Sequence, residues 1–142
     1  MTIAAILGGK GDTVFSIDSG RTVREAVSML AEHRIGALPV MEGGRVVGIM
    51  SERDVIYCLR TDDAAMLDWP VSRVMTAPAI TVSIDFPVLA ALSQMTQRRI
   101  RHLPVVNDKG LVGIVSIGDL VKYRIDRTEQ EAEAMGEYIQ SA

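Results

Sequence analysis

The strongest constraint on this chain is that it spells the same phrase twice: "GIMSERDVI" (Gly48 to Ile56) returns as "GIVSIGDLV" (Gly113 to Val121), an offset of 65 positions. At that offset "IGALPV" falls on "IRHLPV", and Ile35 to Ile56 runs against Ile100 to Val121 without a gap. Ile35, Leu38, Pro39, Val40, Val47, Gly48, Ile49, Ser51 and Asp54 recur as Ile100, Leu103, Pro104, Val105, Val112, Gly113, Ile114, Ser116 and Asp119. Upstream the letters diverge while the pattern persists, with "VFSI" over "AITV" and "TVREAVSMLAEHRI" over "PVLAALSQMTQRRI". Two copies of a period this long read as a duplicated domain rather than a solenoid. A single half, below about 70 residues, would be marginal alone, so the copies are expected to share a core or an interface.

Each copy reads as strand, helix, strand, strand, helix. The first short strand, 14–17 or 79–82, precedes a helix signal: Thr22 as N-cap with Glu25 three later, and Asp85 with Pro87 just inside the helix. Val23, Ala26, Val27 and Leu30, like Val88, Ala91, Leu92 and Met95, recur at helical spacing. "ALPVM" and "HLPVV" are extended, their prolines suggesting an edge position or a strand start. "EGGR" and "NDKG" are hairpin turns, "VVGIM" and "LVGIV" buried return strands, and Ser51 and Ser116 open the second helices. The expected class is α/β in the α+β sense, two β-α-β-β-α repeats. The expected divisions are an arm at 1–13, repeat 1 at 14–60, a linker at 61–78, repeat 2 at 79–124 and a C-terminal helix at 125–142.

Much chemistry is disfavoured by inspection. Fifteen Lys+Arg against 18 Asp+Glu give a net charge of -3, without the cation excess that phosphate neutralisation by a nucleic-acid binder needs. Cys58, the only cysteine, allows no intrachain disulfide and no cysteine-based zinc site; it reads as a packed thiol and fits a reducing, cytoplasmic setting. His33 and His102 are the only histidines and sit in different copies, so no metal is expected. "LGGKGDT" lacks P-loop spacing, and neither a G-x-G-x-x-G helix start nor a G-x-S-x-G elbow occurs. The chain is expected not to be an enzyme. "MTIAAILGGK" has no basic n-region, and every uncharged run is shorter than the roughly 18 residues of a membrane span, so neither a secretory signal nor a membrane contact is expected.

Ser51-Glu52-Arg53-Asp54 and Ser116-Ile117-Gly118-Asp119 lie where a strand becomes a helix. Serine with an acid three later is a helix-capping box. The same carboxylate can accept hydrogen bonds from the vicinal hydroxyls of a ribose, with helix N–H groups facing a phosphate. The two readings are compatible.

The doubled "hLPV", "VVGIh" and Ser-x-x-Asp resemble a tandem pair of CBS (cystathionine-beta-synthase) domains, a Bateman module, of the small stand-alone bacterial type. The resemblance implies a pseudo-twofold pair of repeats packed sheet to sheet, a flat homodimer, and regulatory binding of adenosine-containing ligands in two clefts, each borrowing its ribose-binding Asp from one copy and its adenine and phosphate contacts from the other. Carried over, one cleft joins Ser51 and Asp54 to Ile80, Thr81, Arg101 and His102. The other joins Ser116 and Asp119 to Phe15, Ser16, Gly36 and Ala37. The backbone beside Thr81 or Ser16 would read the adenine edge. Arg101 and His102, with Arg53 near, favour a phosphorylated adenosine in the first cleft, AMP ahead of ADP, ATP, NAD or S-adenosylmethionine; Glu52 weighs against the most charged ligands. The second cleft, with Gly36 and Ala37 in place of cations, should be weaker or more permissive. Arg98 and Arg99 are read as complementing the end of their helix. The regulated protein is not identifiable from sequence, and a ligand-independent dimerisation or scaffold module remains the alternative.

At the ends, Val121, Ile125, Thr128, Ala132, Met135 and Ile139 form an apolar stripe that either packs back on its own module or meets a partner. "TIAAIL" is a second packing arm with Gly8 to Gly11 as its hinge.

Overall fold

The computed structural model describes residues 1–10 and 13–141, and in it the repeat becomes two matching half-structures. The first contains β1 (Ile17–Asp18), α2 (Val23–His33), β2 (Ala37–Glu42), β3 (Arg45–Ser51) and α3 (Glu52–Asp62), and follows a short N-terminal helix, α1 (Ile3–Lys10). A 3-10 turn (Asp63–Asp68) and α4 (Val71–Val74) lead to the second, which contains α5 (Val88–Arg98), β4 (His102–Asn107), β5 (Gly110–Ser116) and α6 (Ile117–Ser141).

The hairpins superpose in register as well as in sequence. Pro39 pairs with Ile49 and Pro104 with Ile114, and both hairpins bulge one residue further on, between Val40 and Met41 and between Val105 and Val106. In the first hairpin Gly43 and Gly44 both take positive φ, 57° and 80°, as a two-residue turn matching the strand twist requires. Both first helices end on a left-handed arginine, Arg34 and Arg99, at φ of 53° and 54°. Apolar faces of the helices and strands close two cores. Val23, Ala26, Leu30, Leu38, Val40 and Met50 build the first; Val88, Ala91, Met95, Leu103, Val105 and Val115 build the second.

Each core is completed by the segment that leads into the other repeat. Met66 and Val71 of the linker are fully buried in the first core, and Ile3 and Ile6 of α1 are buried in the second. The arm expected from "TIAAIL" is thus a packed helix. Gly8 and Gly9, expected as a hinge, lie within α1, and Gly11 falls outside the described residues.

Local structure departs from the sequence reading in four places. The strand expected over 14–17 is confined to Ile17–Asp18, paired in parallel with β2, and its counterpart is a single parallel bridge, Val82 to Val105. Pro87, at the repeat position of Thr22, is itself the N-cap of α5 and offers no side-chain acceptor, whereas Thr22 Oγ1 accepts from Glu25 N at 3.2 Å. Pro39 lies in the central strand of its sheet, neither at an edge nor at a strand start. Pro104 shows how such a proline is tolerated: its carbonyl accepts from Val82 N at 3.0 Å, so its nitrogen faces the same side, ahead of where the parallel pairing begins. Finally, α6 runs unbroken from Ile117 to Ser141 across the division expected at 124/125; of the two roles open to its stripe, packing back is not the one taken, since Val121, Ile125, Met135 and Ile139 are exposed.

Candidate functional site

The two Ser-x-x-Asp boxes fold as reciprocal helix caps. Ser51 Oγ accepts from Asp54 N at 3.2 Å while Asp54 Oδ2 accepts from Ser51 N at 2.9 Å. Ser116 Oγ accepts from Asp119 N at 3.1 Å and Asp119 Oδ2 from Ser116 N at 2.8 Å. Each junction is pinned to the strand start opposite: Glu52 N donates to Gly36 O at 3.0 Å, and Ile117 N to Arg101 O at 2.8 Å. A capped helix start offers a carboxylate beside a positive helix end, which suits a neutral diol next to an anion.

A cleft opens between the repeats beside the first box. Ser51 and Asp54 line it together with Ile80, Arg101 and His102, the grouping expected from sequence across the two copies. Glu52, Arg53, Ile49, Thr76, Pro78, Ala79, Arg99, Ile100 and Gly36 complete it. Thr76 Oγ1 donates to Asp54 Oδ1 at 2.8 Å, and Arg53 Nη1 to Arg99 O at 3.4 Å. Three arginines, Arg53, Arg99 and Arg101, therefore line a cleft together with Asp54, aligned by its cap, and Glu52. An apolar wall of Ile49, Pro78, Ala79 and Ile80 with a cationic end is a suitable receptor for a flat ring carrying an anion.

Several sequence-expected residues lie elsewhere. Thr81 is exposed beside a separate groove of about 520 Å³ between the hairpin tips, where it meets Arg45 and Lys109. The cause is the alternation of an extended segment: Ile80 and Val82 turn toward the second core, so Thr81 turns away. Gly36 belongs to the first cleft instead of the second, since a Cβ there would lie 3.3 Å from the His102 ring. Phe15 stacks on His33 at 3.7 Å between ring centroids and packs on the first core. Ala37 is buried in β2, paired with Ser51, and Ser16 is half-buried beside β1.

At the second box the observed partner is Lys10. Its Nζ donates to Asp119 Oδ2 at 2.7 Å and to Ile114 O at 2.8 Å. Ile49, the counterpart of Ile114, instead gives its carbonyl to Thr76 N at 2.8 Å. Gly48 and Gly113 permit these approaches: a Cβ on Gly48 would sit 2.7 Å from Met75 Sδ and 2.8 Å from Thr76 O, and one on Gly113 2.7 Å from Leu7 Cδ2.

Burial raises the Asp119 carboxyl, but the hydrogen bonds from Lys10 and Ser116 and the lysine charge outweigh it, and the group is held below its ordinary value. Burial pushes the His102 imidazole below its ordinary value against the pull of Glu52 and Asp119, with Lys10 and Arg101 assisting. His102 is thus an uncharged donor or acceptor near neutral pH, and the cations facing the first cleft are the arginines. Cys58 packs against the first core with its Sγ 3.6 Å from Asp62 Oδ2. Among the described residues no group of three His, Cys, Asp or Glu could hold a metal ion, and no helix is long and apolar enough to cross a membrane.

Sequence reasoning missed Thr76, Pro78 and Arg99 as cleft residues, and Lys10 as the partner of Asp119. Arg99 was visible as the repeat partner of Arg34 at a helix end. Thr76 and Lys10 carried no signal, because they lie in lead-in segments that the two copies do not share.

The CBS domain family profile matches residues 12–61 and 71–126. The chain is 37% identical over 124 residues to the mitochondrial CBS domain-containing protein CBSX3 of Arabidopsis thaliana, which covers 84% of this chain and 60% of that protein's length. It is 36% identical over 108 residues to the CBS domain-containing protein YhcV of Bacillus subtilis, covering 75% of this chain and 76% of that one. Among solved structures, the CBS-domain protein ATU1752 of Agrobacterium tumefaciens matches with a TM-score of 0.82 at 34% identity over 87% of this chain and 99% of that one. The CBS domain pair of MJ0100, crystallised with 5′-methylthioadenosine and S-adenosyl-L-methionine, matches with a TM-score of 0.79 at 26% identity over 89% of this chain and 98% of that one. With its duplicated strand-helix-strand-strand-helix units meeting at capped carboxylates, the chain belongs to the CBS-domain family, as a tandem pair.

Proposed function

We propose that this CBS pair is a non-catalytic regulatory module that binds an adenosine-containing ligand in the cleft beside Ser51 and Asp54. The observation that carries the reading is the convergence of Asp54 from one repeat with Ile80, Arg101 and His102 from the other. Asp54 accepts the ribose hydroxyls, the wall containing Ile80 and Pro78 receives the adenine, and Arg53, Arg99 and Arg101 take a phosphate. Charge-assisted bonds of this kind are among the stronger hydrogen bonds. AMP is the first choice. ADP, ATP, NAD and S-adenosylmethionine are the alternatives to titrate, and the adenosine derivatives crystallised with MJ0100 support the class. No metal is required by this chemistry.

The module works as a homodimer and passes ligand state to another protein, in the cytoplasm. The exposed Ile56, Tyr57 and Leu59 of α3, Leu89 of α5 and Val121 and Ile125 of α6 supply apolar contact surface for a second copy. A ligand shifts such an assembly only through different affinities for its states, so dimer affinity must change when the ligand is added.

One observation favours the scaffold alternative: both boxes already form complete reciprocal caps. Mass spectrometry of small molecules copurifying with the protein, followed by calorimetry of nucleotide-free protein against the five ligands, separates the readings. An adenosine derivative recovered and bound supports the module; silence from all five leaves the scaffold.

A further inference from the structure

The two lead-in segments begin alike and end differently. Val71 N donates to Arg21 O at 2.7 Å and Ser72 N to Ser19 O at 3.0 Å; Ile3 N donates to Phe86 O and Ala4 N to Ile84 O, both at 2.9 Å. The acceptors Arg21 and Phe86 are related by the repeat offset of 65, whereas the donors Val71 and Ile3 are 68 apart. The N-terminal segment therefore has three more residues before its repeat begins. They prolong the helix: α4 stops at Val74 and the chain extends into Thr76, while α1 continues a further turn through Gly8 and Gly9 to Lys10. That turn delivers the ammonium to the carboxylate and carbonyl of the second box.

The chemistry at the two carboxylates differs accordingly. The partners of Asp54 are the backbone and hydroxyl of Ser51 and the hydroxyl of Thr76, and hydroxyls rotate to accept or donate. The partner of Asp119 is a cation that neutralises it. We propose that Lys10 is a latch on the second cleft: its ammonium occupies the Asp119 carboxylate, and a ligand that uses Asp119 binds only after the last turn of α1 releases. The latch is built to open locally. Gly8 and Gly9 are poor helix formers, and nothing lies within 4 Å of the positions their Cβ atoms would take. Ile3 and Ile6 stay buried in the second core and hold the rest of α1. The Lys10 and Asp119 side chains retain 36% and 27% of their exposure, so solvent reaches the pair. The two clefts are then filled in order, the first freely and the second against an internal competitor.

This inference rests on the reading of Asp54 and Asp119 as ribose acceptors, and its test distinguishes the two. AMP is titrated calorimetrically into the full chain carrying Asp54→Asn, which weakens the first cleft, with and without Lys10→Met. The latch predicts affinity at the second cleft rising about tenfold or more in the double variant. It also predicts loss of amide protection at residues 8–10 when wild-type protein is saturated. Second-cleft binding that is unchanged or weakened by Lys10→Met, in protein whose unmodified first cleft binds AMP, overturns the latch and leaves the ligand reading intact. Absence of AMP binding in wild-type and every variant overturns both.

Discussion

The boxes at Asp54 and Asp119 are made of the same bonds to within a few tenths of an ångström, yet one borders an open cleft and the other is paired with a lysine. What separates them is upstream of the repeat. Extended backbone at Thr76 runs past the first box and sets a hydroxyl on Asp54, whereas an extra helical turn carries Lys10 onto the second. The repeat gives both boxes a carboxylate; the lead-in segments, which differ, give the carboxylates different partners.

The largest test of this comparison concerns the cores, where the repeats should behave alike. Leu38 and Leu103 are fully buried at equivalent positions, and Leu38→Ala and Leu103→Ala should each cost about 2–5 kcal/mol in urea unfolding. Destabilisation by only one would mean that the halves do not share the load. The next effect should split them. Gly48→Ala drives a methyl onto the Thr76 carbonyl, which is backbone, and onto Met75; overpacking of this kind costs about 1–3 kcal/mol. Gly113→Ala meets only the flexible end of Leu7 and should shift the melting temperature less; the reverse order would contradict the lead-in geometry. Smaller again, Ser51→Ala and Ser116→Ala each remove a cap worth about 0.5–2 kcal/mol. Similar losses are expected, because the boxes are equivalent.

The finest difference is electrostatic. Asp119 is held below its ordinary value, so its stabilisation is complete above the unfolded carboxyl range near pH 4 and is lost as pH falls through its lowered folded value. NMR titration of Lys10→Met should show the Asp119 carboxyl moving up. An unmoved carboxyl would deny Lys10 its place. His102, lowered by burial, leaves the unfolded chain the stronger proton binder, so its contribution to stability declines as pH drops below about 6.5 toward the folded value. The ring's own titration should shift upward when AMP fills the first cleft.

Much of this was legible in the letters. An offset that aligns Pro39 with Pro104 and Ser51 with Ser116 also aligns the Ile17 to Val40 pairing with the Val82 to Val105 bridge, because register follows from hydrophobic pattern and turn length. The crossing of Asp54 with Arg101 and His102 followed from the resemblance carried by those repeats. What remained hidden depended on three-dimensional geometry that the repeated letters do not spell. The Thr81 side chain lines the groove between the hairpin tips, because strand alternation turns it away from the core that holds Ile80 and Val82. Gly36 was assigned to the second cleft although the His102 ring folds over it. Lys10 carries no signal in the letters, because three additional residues in the N-terminal arm decide where its side chain ends.

In the proposed site Asp54 comes from the first repeat and Arg101 and His102 from the second. The most direct measurement is AMP calorimetry on nucleotide-free wild-type protein, Asp54→Asn and Arg101→Ala, each verified as folded by circular dichroism. Hydrogen bonds to charged groups are worth about 1.5–3 kcal/mol, so each substitution should weaken the tighter site by roughly ten- to hundredfold. Wild-type affinity retained in both variants would contradict the account.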